Sequence, residues 1–356
     1  MEKNKTSGST DTSTSREAAH TSQPAADKFD LAAGDYLYMI RQAVKAPSGH
    51  NTQPWLFRVQ SRTIEILPDF ARALPVVDGD GRELFISLGC AVENLCLAAA
   101  EKGYEATVVS MGAEGVTIAL AFSSGITVDP LAAQIGLRQT HRGVYTGRPI
   151  PRPVIEACLS GSTEKDQPVY GWEKGTSSFD RAADYIQEGN RLQMNDSAFK
   201  SELKSWMRFN RKHTEERNDG LTYAVFGAPD LPRFISEPVM AACLSPRLQN
   251  KSDRKKIESS SHLVLFTTCR NDVEDWIRLG RRLERFLLGA SRAGLAYAFL
   301  NQPCECKTLA QGLQADLQLG EACPQLLLRL GYAAKPMPYA PRRRPEEMIL
   351  SGPFLC

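Results

Sequence analysis

The chain has 356 residues, of which 42% are hydrophobic and 24% are charged, enough for one large domain or two smaller ones. Its 43 basic and 41 acidic side chains leave a formal net charge of +2, so we expect no nucleic-acid partner. The sequence shows no apolar run of the roughly 20 residues that span a bilayer and no secretory signal, so no membrane partner is expected. Nine scattered cysteines favour reduced thiols and a cytoplasmic location.

Residues 1–30 are rich in Ser, Thr and charged side chains and predict a disordered leader. Residues 31–128 are predicted to form the first of two halves. Apolar residues at helical spacing predict helices at Tyr36–Lys45 and Leu84–Glu101. Short β-rich runs predict four strands, at Trp55–Val59, Thr63–Leu67, Ala106–Ser110 and Val116–Ala121.

Residues 129–356 are predicted to form the second half. It opens with helices at Leu131–Arg138 and Pro153–Leu159, and helical patterns fill residues 179–209. The charged, proline-containing stretch at about 208–261 predicts a lid-like excursion. The last third predicts strand His262–Thr268, helix Asp275–Arg292, strand Leu295–Leu300, helix Leu309–Leu317 and strand Gln325–Leu330. Strands and helices alternate without a strict βαβ repeat, which indicates an α+β fold, with sheets flanked by long helices.

The common catalytic and nucleotide-binding motifs are absent from the sequence. No Gly-x-Gly-x-x-Gly follows a predicted strand, and there is no P-loop, His-Glu-x-x-His or Cys-x-x-Cys motif. Cys304 and Cys306 form a Cys-x-Cys pair, but no further Cys/His pair at ligand spacing lies nearby, so we expect no metal site. No side chain is identified as catalytic.

A polar loop, PSGHNTQPW at residues 47–55, joins the first helix to the first strand. Its backbone N–H groups, the Ser48 hydroxyl and the Asn51 amide suit the edge of a planar heteroaromatic ring. The alternative is an ordinary helix-to-strand turn, in which Pro47 sets the geometry and Trp55 fills the core.

Two arginine clusters are candidates for binding a phosphate. In an extended RQTHR segment, Arg138, Thr140 and Arg142 project to the same side, and each charge-assisted hydrogen bond would contribute roughly 1.5–3 kcal/mol. One or two of the consecutive arginines at 342–344, held extended by flanking prolines, are candidates to join them. The alternatives are a solvated charge cluster and a basic tail.

These segments together resemble the nitroreductase superfamily. The loop at 47–55 is similar to its Pro-Ser-x-x-Asn-x-Gln-Pro-Trp loop, RQTHR to its Arg-x-Ser/Thr-x-Arg phosphate motif, and GYAAKPMPYAPRRRPEE to its closing segment. In ordinary nitroreductases the arginine motif precedes the loop, and two subunits build each FMN site. The inverted order here resembles the single-chain Acg-type branch, and the resemblance covers about residues 35–350. It is also carried by ARALPVVDGDGRELFISLGCAVENL, Asp219-Gly220, LVLFTT, DWIRLGRRLERFLL and GLAYAFLNQPCE.

The resemblance implies two pseudo-repeated nitroreductase-like halves that mimic the superfamily's dimer, and hence a monomer that binds one FMN. Arg138, Thr140 and Arg142 would hold the phosphate together with Arg343, and Arg342 or Arg344 are further candidates. Pro47, Ser48 and Asn51 would line the isoalloxazine ring. The strand end at Phe299, Leu300, Asn301 and Gln302 would pass the N5 edge of the flavin, where a backbone N–H tunes its chemistry.

The implied activity is an FMN-dependent oxidoreductase that takes electrons from NAD(P)H and passes them to nitroaromatic, quinone or related small-molecule acceptors. The alternative is a non-enzymatic protein that stores or sequesters FMN beneath the lid-like excursion, because a covered flavin keeps hydride donors beyond reacting distance. Specialised flavin chemistry, such as dehalogenation or flavin fragmentation, is a third class, which an extra carboxylate near N5 would favour.

Overall fold

The computed structural model describes residues 32–161 and 167–350, so the predicted leader lies outside the described residues. The first half contains a four-stranded antiparallel sheet in the order β1-β2-β4-β3. Its elements are helix α1 (Ala33–Ala43), strands β1 (Trp55–Val59) and β2 (Thr63–Pro68), helix α2 (Arg82–Glu101) and strands β3 (Tyr104–Gly112) and β4 (Gly115–Phe122). The predicted elements of this half are therefore confirmed.

The second half contains another four-stranded antiparallel sheet, in the order β5-β8-β10-β9. The elements between residues 152 and 258 are α3 (Arg152–Ser160), β5 (Val169–Glu173), α4 (Ser177–Asn195), α5 (Ser197–Ser205), β6 (Met207–Arg208), α6 (Arg211–Arg217), β7 (Leu221–Thr222), α7 (Arg233–Ala242) and α8 (Pro246–Glu258). Those of the last third are β8 (His262–Thr268), α9 (Val273–Arg292), β9 (Ala296–Phe299), α10 (Gln302–Glu305), α11 (Lys307–Asp316) and β10 (Cys323–Gly331). The α+β prediction and the two sheet-containing halves are confirmed.

Helices α2 and α9 are each 20 residues long and pack against each other in the largest core cluster, which draws side chains from both halves. By length and composition α2 is the one helix of the described residues apolar enough to cross a membrane. Most of its apolar stretch is nevertheless buried inside the fold, as expected for a central core helix.

The C-terminal segment returns to the first half and joins its sheet at the edge strand β1. The Phe57 amide donates to the Met348 carbonyl, and the Leu350 amide donates to the Phe57 carbonyl, each at 2.8 Å. The arginine-rich segment that precedes this contact therefore lies between the two halves.

The structure of the second half differs from the prediction in one helix, in two additional elements and in the end of the excursion. The predicted helix Leu131–Arg138 is only the short 3-10 turn Ala132–Gln134, because Gly136 is a poor helix former and the chain turns there. Strand β5 and the one-turn helix α10 were not predicted. The excursion also ends before residue 261, because α8 packs on α4, Asn190 Nδ2 donates to Asp253 Oδ2 at 3.0 Å, and Ile257 belongs to the core.

Candidate functional site

Two adjoining cavities lie between the halves. The first, which we call the carboxyl cavity because Glu83 and Glu305 line it, has a volume of about 230 Å³. The second, the arginine cavity, is lined by Arg138, Arg142 and Arg342 and has a volume of about 210 Å³. Five residues form walls of both cavities: Pro47, Ser48, Arg142, Leu221 and Phe299. An elongated ligand with an anionic end and a planar end matches this arrangement.

The segment 138–142 presents its side chains as the sequence predicted. Arg138, Thr140 and Arg142 all line the arginine cavity. His141 turns to the other side, where its ring Nε2 lies 2.5 Å from the Lys335 carbonyl oxygen. The main chain of this segment is fixed to strand β9, because the His141 amide donates to the Tyr297 carbonyl at 2.8 Å.

Arg142 is a buried cation that forms no ion pair with a carboxylate of the described residues. Burial lowers the pKa of its guanidinium, and the nearby positive charge of Arg329 lowers it further. A cation in this situation is stabilised by any anion that enters the cavity.

Arg342 is a second cation that forms no ion pair with a carboxylate of the described residues. Its Nη1 donates to Asn51 Oδ1 at 2.9 Å, and its Nη2 donates to the carbonyls of Lys45 and Ala46 at 3.1 and 3.3 Å. Burial lowers the pKa of Arg342 to about 9, and repulsion by Arg138 contributes to the shift. The Nε atom is buried without a hydrogen-bond partner. An anion in the arginine cavity would supply the missing negative charge.

Arg138 lines the same cavity, but its charge is already neutralised. Its Nε lies 3.1 Å from Glu284 Oε1, and both side chains are almost completely buried. Its Nη1 donates to the Tyr297 hydroxyl at 2.7 Å, and its Nη2 donates to the Lys45 carbonyl. Arg138 therefore acts first as a structural residue that fixes the cavity wall.

The placement of Arg343 and Arg344 corrects the prediction for the closing segment. The Arg343 amide donates to Gln53 Oε1 at 2.8 Å, and its guanidinium lies 3.7 Å from Asp69 Oδ2, outside both cavities. Arg344 is exposed. Side chains of an extended chain alternate in direction, so Arg343 points away from the side that Arg342 faces. Of the three arginines, only Arg342 lines the arginine cavity.

The polar loop at 47–55 is held in an unusual backbone conformation. His50, Asn51 and Gln53 have φ angles of 49°, 56° and 55°, which cost of order 1–3 kcal/mol each for residues other than glycine. Contacts from the rest of the chain impose this conformation. Asn51 Nδ2 donates to the carbonyls of Gly220 and Pro341 at 3.2 and 3.1 Å, and the Gln53 amide donates to Ser48 Oγ at 2.9 Å.

The strand end at 299–302 reaches the site as predicted, except for one residue. Phe299 lines both cavities, and Asn301 and Gln302 line the carboxyl cavity. Leu300 lines neither, because it points to the opposite side of the chain into a core cluster with Leu327. The Leu300 side chain therefore does not line the site, and the expected role of a backbone N–H in this segment stays a prediction.

A pair of acidic side chains in the carboxyl cavity was missed by sequence reasoning. Glu83 and Glu305 both line this cavity and influence each other's pKa, and Asn301 Nδ2 donates to Glu83 Oε1 at 3.1 Å. The pKa values of both glutamates are raised, chiefly by burial. Glu83 and Glu305 are far apart in the sequence, and no motif connects them, so the sequence offered no signal for this contact.

The segment 219–226 forms the outer wall of both cavities. Leu221 and Phe226 line the carboxyl cavity, and Gly220 and Val225 line the arginine cavity. Asp219 anchors the segment, because it accepts from Arg208 Nε at 2.8 Å and forms an ion pair with Arg72 of the first half.

Two relatives match most of the chain. The Mycobacterium tuberculosis H37Rv protein provisionally named NAD(P)H nitroreductase Rv3131 is 27% identical over 327 residues, which cover 87% of this chain and 90% of the relative. The one provisionally named NAD(P)H nitroreductase acg, from the same strain, is 26% identical over 331 residues, 87% of this chain and 93% of the relative.

These relatives support the predicted resemblance to the nitroreductase superfamily. The matches to both relatives extend through both halves, and the predicted Acg-type resemblance is confirmed. No family model matches the chain. Among solved structures, the FMN-dependent nitroreductase NfnB from Mycobacterium smegmatis in complex with NADPH aligns at 13% identity with a TM-score of 0.41, over 62% of this chain and 96% of that one.

Proposed function

We propose that this chain binds one FMN across the two cavities and acts as an oxidoreductase with NAD(P)H as electron donor. The observation that carries the proposal is the pair of largely buried cations, Arg142 and Arg342. Both line the arginine cavity, and neither forms an ion pair with a carboxylate of the described residues. The relatives named NAD(P)H nitroreductase support the same activity.

The arginine cavity would hold the phosphate. Arg142 and Arg342 would provide the charge, and Thr140 and Lys45, which also line this cavity, would add neutral and cationic donors. Arg138 would keep its partner Glu284 and position the wall. In flavoproteins generally, the protein binds and orients the cofactor, and the cofactor carries out the hydride transfer.

The carboxyl cavity would hold the flavin ring and the small molecules that react with it. Pro47 and Ser48 from the first half and Phe299 from the second would border the ring, and Asn301 and Gln302 would approach its edge. Since the two halves already supply both sides of the site, we propose that the chain works as a monomer. We propose nitroaromatic and quinone-like compounds as acceptors, and the cytoplasm as location.

The binding part of this proposal is tested by titrating the protein with FMN and with riboflavin, which has the same ring but no phosphate, and following flavin fluorescence. Arg142→Ala and Arg342→Ala should each weaken FMN binding about 10- to 100-fold, the loss of one charge-assisted contact. Riboflavin binding should change little. Arg344→Ala is the matched control and should bind FMN as the unmodified protein does. Equal losses for both ligands would contradict the assignment of the phosphate.

Storage of FMN is the second candidate function, and the wall formed by residues 219–226 favours it. Anaerobic addition of NADH, then NADPH, to the FMN-loaded protein separates the two. Rapid loss of the visible flavin absorbance supports the oxidoreductase. Retention of both FMN and colour with either nucleotide supports storage.

A further inference from the structure

The pair formed by Glu83 and Glu305 is built by both halves of the molecule. Glu83 lies in the first turn of α2, and Glu305 is the last residue of α10. Both side chains line the carboxyl cavity, and each influences the pKa of the other. Neutral amides complete the contacts, since Asn301 donates to Glu83 and Gln193 donates to Glu305. The pair is therefore buried on its outer sides and faces the space in which small molecules would react.

The charges around the pair require one carboxyl of the cluster to stay protonated. Arg82 is the one cation beside it, with Nη2 at 3.5 Å from Glu83 Oε1 and Nη1 donating to the Cys304 carbonyl at 2.7 Å. Asp78 is the third carboxyl group. Burial and the charge of Glu83 raise the pKa of Asp78 to about 7, although it accepts from the amides of Glu83 and Leu84, each at 2.9 Å, which favours its ionised form.

Arg142 also lines the carboxyl cavity, and we assign its charge to the phosphate. The other titratable groups near the pair add no positive charge. His50 lines the same cavity, and burial, followed by repulsion from Arg142, lowers its pKa to about 4, so that it is neutral. Burial raises the pKa of the Cys304 thiol to about 12, so that it is neutral as well. When Asp78 is ionised it balances Arg82, and two ionised glutamates would then repel each other beside the cavity without a counter-charge of their own. Two carboxylates in that position share one proton.

We propose that Glu83 and Glu305 share one proton and that this pair is the general acid that protonates the acceptor in the carboxyl cavity. The inference rests on the proposed function. Two-electron reduction of a quinone or similar carbonyl acceptor adds a hydride, which NAD(P)H supplies through the cofactor, and a proton. The O–H bond of the pair breaks as the O–H bond of the acceptor forms. The pair, left with two carboxylates, then takes a proton from water.

The first test uses the protein without flavin and reads the proton directly. Infrared difference spectra between pH 7 and a more alkaline pH should show the C=O band of a protonated carboxylic acid, shifted in D2O. Glu83→Gln and Glu305→Gln should each lower the pH at which the band is lost, because the remaining glutamate stays buried but no longer faces a second negative charge. Glu156→Gln, a change at an exposed residue of α3, should leave that pH unchanged. Absence of the band from the unmodified protein at pH 7 would overturn the proposal.

The second test separates the two half-reactions by stopped flow. Reduction of the flavin by NAD(P)H consumes no acceptor and should change less than threefold in either variant. Reoxidation by a quinone should slow about 100-fold in both variants, as general acid catalysis predicts, and should lose its decline at alkaline pH. Reoxidation at the unmodified rate in both variants would overturn the proposal. A protein that binds no FMN would instead refute the proposed function, while the infrared result would still report on the shared proton.

Discussion

Gly89 of α2 and Gly280 of α9 lie against each other where the two central helices cross. A Cβ atom on Gly89 would be 2.1 Å from the Ile277 carbonyl oxygen, and one on Gly280 would be 2.0 Å from the Ile86 carbonyl oxygen. Gly89 thus faces Ile277, three positions before Gly280, and Gly280 faces Ile86, three positions before Gly89. This reciprocity is the contact pattern of a twofold axis, as in a symmetric dimer, although both helices belong to one chain.

This crossing predicts a large loss of stability from a single methyl group. Gly89→Ala or Gly280→Ala should lower the free energy of unfolding by about 3 kcal/mol, because the backbones of both helices must separate. Gly289→Ala is the control. Gly289 also lies in α9, nothing occupies the space around its Cβ position, and the change should stabilise the protein by up to about 1 kcal/mol. Urea unfolding of the three variants measures the difference. Equal midpoints for Gly89→Ala and Gly289→Ala would contradict this account of the crossing.

The second prediction concerns Asp219, which anchors the wall of the site to Arg72 and Arg208. Asp219→Asn should release the segment 219–226, because the two arginines lose their shared counter-charge and repel each other. Hydrogen exchange and limited proteolysis should then increase in this segment, with little change in α2 or α9. FMN dissociation should become about tenfold faster. As a control, Asp230→Asn removes an exposed charge that lies 3.7 Å from Arg211 and should leave the dissociation rate unchanged.

Local patterns in the sequence predicted most of the fold. Strand β8 has the bounds that its apolar run indicates, and α2 and α9 follow from their helical spacing. The helix expected at Leu131–Arg138 did not form, because tertiary contacts and Gly136 overrode a short apolar pattern.

The positions of site residues were predictable only where a single short segment of the chain determines them. Arg138, Thr140 and Arg142 face one cavity because alternation in an extended chain is a local property. Which of the arginines at 342–344 faces it depends on the register of the tail against Phe57, which is a long-range contact. The state of charge of Arg138 depends on Glu284, and the partner of Glu83 is Glu305, so neither could be read from a local pattern.

The third prediction uses the buried ion pair of Arg138 and Glu284. Arg138→Met should lower the free energy of unfolding of the flavin-free protein by about 3–5 kcal/mol, because it leaves the Glu284 carboxylate buried without its partner. Arg138→Met combined with Glu284→Leu should recover more than half of this loss. Chemical denaturation of the single and double variants measures the coupling. If the two changes are simply additive, the pair does not have the structural role assigned to it.

The fourth prediction follows from the pKa of Arg342, which burial and the charge of Arg138 lower to about 9. A bound phosphate favours the protonated guanidinium, so FMN affinity should be constant between about pH 7 and pH 8, where the phosphate carries about two negative charges, and fall up to tenfold per pH unit above about pH 9. Riboflavin affinity should not show this decline. In Arg342→Ala the difference between the two ligands should be independent of pH over the same range.

The last prediction concerns the pH dependence of stability and the raised pKa of Glu83. An acid whose pKa is raised by folding stabilises the fold at low pH, and this contribution is lost as the pH rises from the ordinary glutamate range through the folded-state value. The free energy of unfolding should therefore fall by up to about 1.4 kcal/mol per pH unit on the alkaline side of that range. His50, whose pKa is lowered to about 4, acts oppositely and weakens the fold on acidification below its ordinary pKa, so the comparison is made from pH 6.5 upward. Glu83→Gln keeps the shape and the hydrogen-bonding capacity of the side chain, and it should flatten this decline and make the variant more stable than the unmodified protein at pH 8. Parallel curves for the two proteins would show that Glu83 carries no proton in the folded state.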